Sequence, residues 1–169
     1  IAEGPPAEIK KNPEVIQVFF DTGADINEKS EDKTTVLMTA VRWNENLEVI
    51  QLLLNSGADI SAKRDDGATA LMIAANSRRN PQVIQMLLDA GADVQEKDED
   101  ADTALMYAIT SCIGPETIKL LLDAGADVNT KINNGTTSIL LAAKKCGPEI
   151  IRLLLEAGAD VDARAPDES

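Results

Sequence analysis

The chain repeats itself with a period of 34 residues, and this constrains its fold more than any other feature. The tripeptide Gly-Ala-Asp begins at residues 23, 57, 91, 125 and 158, so successive copies are 34, 34, 34 and 33 residues apart. A second marker, a threonine before a short apolar run, begins at residues 35, 69, 103 and 137 with the same step of 34. Two markers in phase indicate a repeat protein, in which each unit buries its apolar face by stacking on its neighbours.

Each unit contains two helical signals. Thr69 precedes the apolar run 70–75 and is expected to cap the first turn of a helix. Asn80 and Pro81 indicate the start of a second helix, because asparagine caps helices well and proline fits their first position. The apolar residues within 83–88 then fall on one face of that helix.

The Gly-Ala-Asp tripeptide marks the joint after the second helix. Gly91 follows the last helical turn, where a left-handed backbone is readily adopted only by glycine. Asp93 is expected to bond a local backbone amide rather than to act as a metal ligand or catalytic acid. The polar stretch 94–102 carries no helical pattern and predicts an exposed hairpin loop.

Two segments show the pattern of the unit most clearly: DDGATALMIAA at 65–75 and VIQMLLDAGADV at 83–94. With these motifs the unit resembles the ankyrin repeat over residues 13–164. The resemblance implies an all-α solenoid of stacked helix-turn-helix units with projecting hairpin loops. Residues 1–169 would form a single domain, divided into a leading half-repeat at 1–30, repeats at 31–64, 65–98, 99–132 and 133–165, and a tail at 166–169.

The chain also departs from the family pattern. The family's Thr-Pro-Leu-His reads Thr-Ala-Leu-Met here, a variant that is similar to bacterial members. The chain has no histidine, and Met72 and Met106 are expected to fill apolar space in its place. The hairpin glycine is replaced by Lys33 and Ala101 in two of the units.

The repeat is incomplete at both ends. The leading unit keeps only its second helical signal, and no helix pair follows Gly158. A fragment of a longer protein and a natural end covered by Arg152 and Glu156 both fit this pattern.

The chain is strongly acidic, with 16 basic and 29 acidic residues and a formal net charge of −13. This argues against nucleic acids and anionic membranes as partners, because both need a basic footprint. It favours a protein or peptide with a basic or mixed-charge surface. No apolar run approaches the ~18 residues of a membrane-spanning helix. We expect a monomer; a cytoplasmic location is favoured, and a secreted effector stays open.

The sequence offers little catalytic or metal-binding chemistry. Ser, Thr and Cys nucleophiles usually need a histidine base, and no phosphate-binding glycine loop is present. We therefore expect no enzymatic activity and no cofactor. The stretch 98–102, DEDAD, is similar to the start of a calcium-binding loop, but Thr103 and Ile109 stand where that loop needs glycine and glutamate. A solvated acidic hairpin is favoured, with any calcium binding no tighter than millimolar.

The two cysteines, Cys112 and Cys146, occupy the same position in successive units. Stacked helices lie ~8–10 Å apart, whereas a disulfide needs Cα atoms within about 7 Å. We expect two free thiols and no zinc site.

The resemblance also implies a binding surface, because ankyrin proteins usually hold a partner along the hairpin tips and the ends of the first helices. Carried over by position, this candidate surface consists of Glu31, Asp32, Thr34, Arg42, Trp43, Asp65, Asp66, Ala68, Asn76, Ser77, Glu99, Asp100, Asp102, Thr110, Ser111, Asn133, Asn134, Thr136, Lys144 and Lys145.

Two aromatic residues of this region have distinct expectations. Trp43, beside Arg42, is either an exposed anchor for the partner or part of a local core with the leading half-unit. Tyr107 is expected to fill core space while its hydroxyl reaches solvent.

The favoured function is protein–protein recognition without intrinsic catalysis. One alternative is a targeting or regulatory segment of a larger enzyme or of a secreted effector. The other is a purely structural spacer.

Overall fold

The computed structural model describes residues 23–43, 46–77 and 80–164, and these ranges contain eight helices and one isolated antiparallel bridge, between Lys131 and Thr137. The second helix expected in the leading half-unit and the tail at 166–169 lie outside the described residues. In chain order the helices are α1 Val36–Trp43, α2 Leu47–Asn55, α3 Ala70–Ala75, α4 Pro81–Asp89, α5 Ala104–Thr110, α6 Pro115–Asp123, α7 Ser138–Lys145 and α8 Pro148–Glu156.

The helices stack in two parallel rows. The first helices of the units, α1, α3, α5 and α7, pack on one another in sequence and form the inner row. The second helices, α2, α4, α6 and α8, do the same in the outer row, and each packs on the inner helix of its own unit. The all-α solenoid expected from the repeat is confirmed.

The core runs along the stack at repeated positions. The leucine two residues after the threonine, at 37, 71 and 105, is at most 1% exposed in each case. The isoleucines at 50, 84 and 118 in the outer row are similarly enclosed. Each such side chain contributes roughly 1.5–3 kcal/mol by leaving water, so the unit is stable mainly through its neighbours. In the last unit, Ile139 takes the position of these inner-row leucines and is only half-buried.

The helix starts follow the predicted caps in part. Thr69 Oγ1 accepts a hydrogen bond from Met72 N at 3.4 Å, and Asn80 accepts one from Gln82 N at 2.9 Å, which confirms both predictions. Thr103 has the same following sequence but makes no such bond, and its buried Oγ1 has no partner among the described residues. Met72 and Met106 are at most 1% exposed and fill the core as expected.

The Gly-Ala-Asp joints are also confirmed. All five aspartates accept a hydrogen bond from the backbone amide two residues later, at 2.8–3.0 Å. The glycine of each joint has φ between +75° and +93°, a conformation that side chains with a Cβ rarely adopt. These aspartates therefore hold turns together.

Candidate functional site

The hairpin of each unit is closed by its own backbone. Arg64 N donates to Ala68 O at 3.0 Å, and the other three hairpins repeat this bond at 3.1 Å. The fourth turn residue has a positive φ in every unit, including Lys33 at +58° and Ala101 at +63°. The exposed loops predicted from the polar stretches are thus defined turns, which can present side chains in fixed directions.

Hydrogen bonds between units tie the hairpin tips into one row. Asp65 N donates to Asp32 O and Glu99 N to Asp66 O, both at 3.1 Å. Asn133 N repeats the bond to Asp100 O at 3.0 Å. We call this series the tip ladder. It fixes the spacing between neighbouring tips and makes them a continuous surface.

The tip side chains divide into two groups. Asp32, Asp66 and Asn134 accept the backbone amide two residues later within their own turns, at 3.0–3.2 Å. Glu99 and Asp100, in the third hairpin, are exposed. The first group stabilises the turns, whereas the second is open to solvent.

The structure places most of the candidate surface within reach of a partner. Ala68 and Thr136 are exceptions, because they are only 1% and 9% exposed, and their side chains cannot be main contacts. Thr34, Ser77, Asp102 and Ser111 are half-buried. The remaining candidates are exposed: Glu31, Asp32, Arg42, Trp43, Asp65, Asp66, Asn76, Glu99, Asp100, Thr110, Asn133, Asn134, Lys144 and Lys145.

A groove of about 340 Å³ lies between the hairpins and the inner helices. Three of its residues, Arg64, Ile73 and Tyr107, are absent from the candidate surface. A signal for Arg64 exists in the sequence, because its position holds Ser, Asp or Ile in the other units and so varies with the unit. The full lining is Arg42, Trp43, Arg64, Ala68, Ile73, Asn76, Ser77 and Tyr107.

Trp43 forms one wall of this groove. Its side chain is 44% exposed, and the guanidinium carbon of Arg42 lies 5.1 Å from the ring centroid, in a cation–π contact. Arg64 is held by a second contact, a two-point ion pair with Asp66. The groove therefore combines an exposed aromatic ring with two guanidinium groups beside the acidic tips.

Tyr107 is more polar in its contacts than expected. Its hydroxyl donates to Asp98 Oδ2 at 2.8 Å, a contact that the sequence does not predict. Asp98 Oδ1 accepts the backbone amides of Asp100 and Asp102 at 2.9 and 2.8 Å. This carboxylate organises the third hairpin, and burial together with its charge raises the pKa of Tyr107.

Asp102 is half-buried at the base of the third hairpin. Desolvation, and then repulsion from Asp98 and Asp100, raises the pKa of its carboxyl to about 6. In the unfolded chain the carboxyl titrates near its ordinary value of 3.8. Between these two pH values the folded protein binds more protons than the unfolded chain, so stability falls as the pH rises.

Replacing Asp102 by asparagine is expected to stabilise the protein by about 1 kcal/mol at neutral pH, after allowance for screening of a half-exposed group. The gain should disappear below about pH 4, where the carboxyl is protonated in both states. Urea unfolding at a series of pH values measures this. Asp123→Asn, on the exposed surface of α6, is the matched control. An equal gain in both variants would mean that net charge, not the position of Asp102, is responsible.

The described ranges contain no group of three or more acidic or cysteine side chains arranged to hold a metal ion. In the stretch 98–102, the Asp98 carboxylate already accepts three hydrogen bonds. The millimolar limit on calcium binding stays a prediction. Nor does any helix in the described part of the chain have the length and apolar character to cross a membrane.

Cys112 and Cys146 are closer than the repeat spacing indicates. Both thiols are free, but their sulfur atoms lie 2.6 Å apart, so the prediction that the two positions are too distant for a disulfide rests on the wrong distance. The 8–10 Å spacing applies to helix axes. These residues follow the ends of α5 and α7, and their side chains reach toward each other.

Comparison with known families agrees with this geometry. A family model described as ankyrin repeats (3 copies) matches residues 7–98 and 80–165. The chain belongs to the ankyrin repeat family. Ankyrin repeats are generally protein–protein interaction modules and are typically non-catalytic. A search of curated proteins finds no match to the chain.

Proposed function

We propose that this ankyrin repeat chain binds a basic or mixed-charge segment of a partner protein along its hairpin tips and inner helices, without catalysis of its own. The observation that carries the proposal is the tip ladder, which holds exposed acids in a fixed row beside the groove. A rigid row of charge lowers the entropy cost of binding, because the surface does not have to be ordered by the partner.

The charges along this surface support a mixed-charge segment. Asp65, Glu99 and Asp100 are exposed on consecutive tips, where they attract lysine or arginine side chains. Asp65 shows this attraction within the chain, because it pairs with Lys33 of the first hairpin at 3.0 Å. At the groove, Arg42 and Trp43 favour a carboxylate or an aromatic side chain of the same segment. Exposed tryptophan and arginine are frequent energetic anchors of interfaces.

We expect no catalysis because the chain lacks the side chain that most often acts as a general base. The chain has no histidine to act as a general base. The carboxylate of Asp98 already accepts three hydrogen bonds, from the Tyr107 hydroxyl and from two backbone amides. We therefore expect binding without turnover of the partner.

The test is affinity capture with mass spectrometry, followed by titration of the captured partner. We expect the variant Asp65→Asn/Glu99→Gln/Asp100→Asn to bind about tenfold more weakly, because three exposed charge pairs contribute a few tenths of a kcal/mol each. Its affinity should also depend less on salt. Asp89→Asn/Asp123→Asn/Glu156→Gln changes the net charge equally on the outer helices and should bind like the unmodified chain.

Other outcomes would redirect the proposal. Salt-independent affinity that is lost only on Trp43→Ala would mean an apolar anchor in place of the acidic row. Equal loss in both triple variants would mean that overall charge, not the tips, controls binding. Failure to capture any partner would favour the structural spacer.

A further inference from the structure

The two thiols of the chain face each other across the boundary between the third and fourth repeats. Cys112 lies in the loop between α5 and α6, and Cys146 directly follows α7. Their sulfur atoms are 2.6 Å apart. This separation lies between that of two sulfurs in ordinary contact and the ~2.05 Å of a disulfide bond.

The backbone aims both side chains across this boundary. Cys112 adopts φ +45°, a left-handed conformation that is unfavourable for a residue with a Cβ. Its sulfur lies 2.8 Å from Lys145 O in the fourth repeat, while Cys146 Sγ lies 3.3 Å from Ile109 O in the third. Each thiol thus contacts a backbone carbonyl of the neighbouring repeat. The two sulfur atoms need to approach each other only slightly to bond.

Both cysteines are half-exposed, so a small oxidant such as a disulfide of low molecular weight can reach them. Burial and the neighbouring Cys112 raise the pKa of the Cys146 thiol to about 12. Because the thiolate is the attacking species, this raised pKa slows the reaction of Cys146 with an oxidant.

We propose that Cys112 and Cys146 form a reversible disulfide that links the third repeat to the fourth. The inference is independent of the proposed partner.

With glutathione disulfide as the oxidant, Cys112 loses its proton to solvent, and its sulfur displaces one glutathione thiolate and bonds to the other glutathione sulfur. Cys146 then loses its proton and displaces the second glutathione from Cys112. Two cysteine thiols and one glutathione disulfide yield one protein disulfide and two glutathione thiols. The cysteines are oxidised by two electrons, and glutathione disulfide is reduced.

The link would act on the stack and on the candidate surface. It joins repeats that otherwise contact each other through non-covalent packing, so it restricts their separation in the unfolded chain. It also fixes Thr110 and Ser111 relative to Lys144 and Lys145, which flank the two cysteines in the chain. Lys145 Nζ already lies 3.5 Å from Thr110 O.

The test uses the 169-residue chain equilibrated in glutathione buffers of graded redox potential, then alkylated under denaturing conditions. We expect a monomeric species lighter by two hydrogens, with both cysteines protected from alkylation. Its thermal midpoint should rise by about 5 °C or more over the reduced chain and return on addition of reductant. Cys112→Ser and Cys146→Ser should each show no redox-dependent shift.

Two results would overturn the proposal: formation of only disulfide-linked dimers or glutathione adducts, or a redox-dependent shift that persists in the serine variants.

Discussion

Replacing Leu105 by alanine should lower the free energy of unfolding by about 3 kcal/mol, because the side chain is fully buried and the neighbouring helices cannot close the cavity. Leu105 lies on α5, which packs on both α3 and α7 in the middle of the inner row. Since a repeat stack holds together through interfaces between neighbours, weakening the middle should also let the two halves unfold separately. Urea unfolding should show a broader transition with a lower slope.

Leu155→Ala is the matched control for this prediction. Leu155 is 42% exposed on α8, at the end of the outer row, and its truncation should cost less than about 1 kcal/mol. An equal loss in the two variants, or a Leu105→Ala transition as sharp as that of the unmodified chain, would contradict a stack of coupled modules.

Gly67→Ala is expected to destabilise the protein by about 2 kcal/mol through two effects. Gly67 has φ +80°, which strains any residue with a Cβ. In addition, a Cβ there would lie 2.9 Å from Asp98 Cα and Glu99 N in the next hairpin. The second hairpin must then shift and weaken the bond from Glu99 N to Asp66 O in the tip ladder. Chemical unfolding measures the loss.

Gly57→Ala separates the two effects. Gly57 has a similar φ of +85°, but nothing lies within 4 Å of a Cβ at that position, so only the backbone strain of about 1 kcal/mol applies. Ala101 shows that a hairpin can accept a Cβ when its turn residue adopts φ +63°. If the two glycine variants lose the same stability, the tip ladder adjusts without cost and is less rigid than we conclude.

The sequence predicts those features of the fold that depend on a residue and its near neighbours. Gly91 and Asp93 form the expected joint because a left-handed glycine and an amide two residues after an aspartate are local requirements. Asn80 caps its helix for the same reason. The 34-residue period then predicts the stack of units, because each unit has the same apolar face to bury against its neighbour.

Side-chain directions across the unit boundaries are what the repeat pattern does not give. Periodicity identifies Cys112 and Cys146 as equivalent, but their contact depends on backbone angles after the ends of the helices. The bond from Tyr107 to Asp98 joins a helix to a hairpin, so it does not follow from the pattern of either element alone. The direction of the Arg64 side chain is likewise not given by the repeat, because it is fixed by the ion pair with Asp66 two residues later.

Amide hydrogen exchange on the complex with a captured partner tests the central claim most directly, because it maps the surface that the partner covers. We predict slower exchange in the hairpins 65–68 and 99–102 and at the ends of α1, α3 and α5, with no change in α4, α6 and α8. Slower exchange confined to the outer helices would contradict the assignment of the varied, tip-facing side chains to partner recognition.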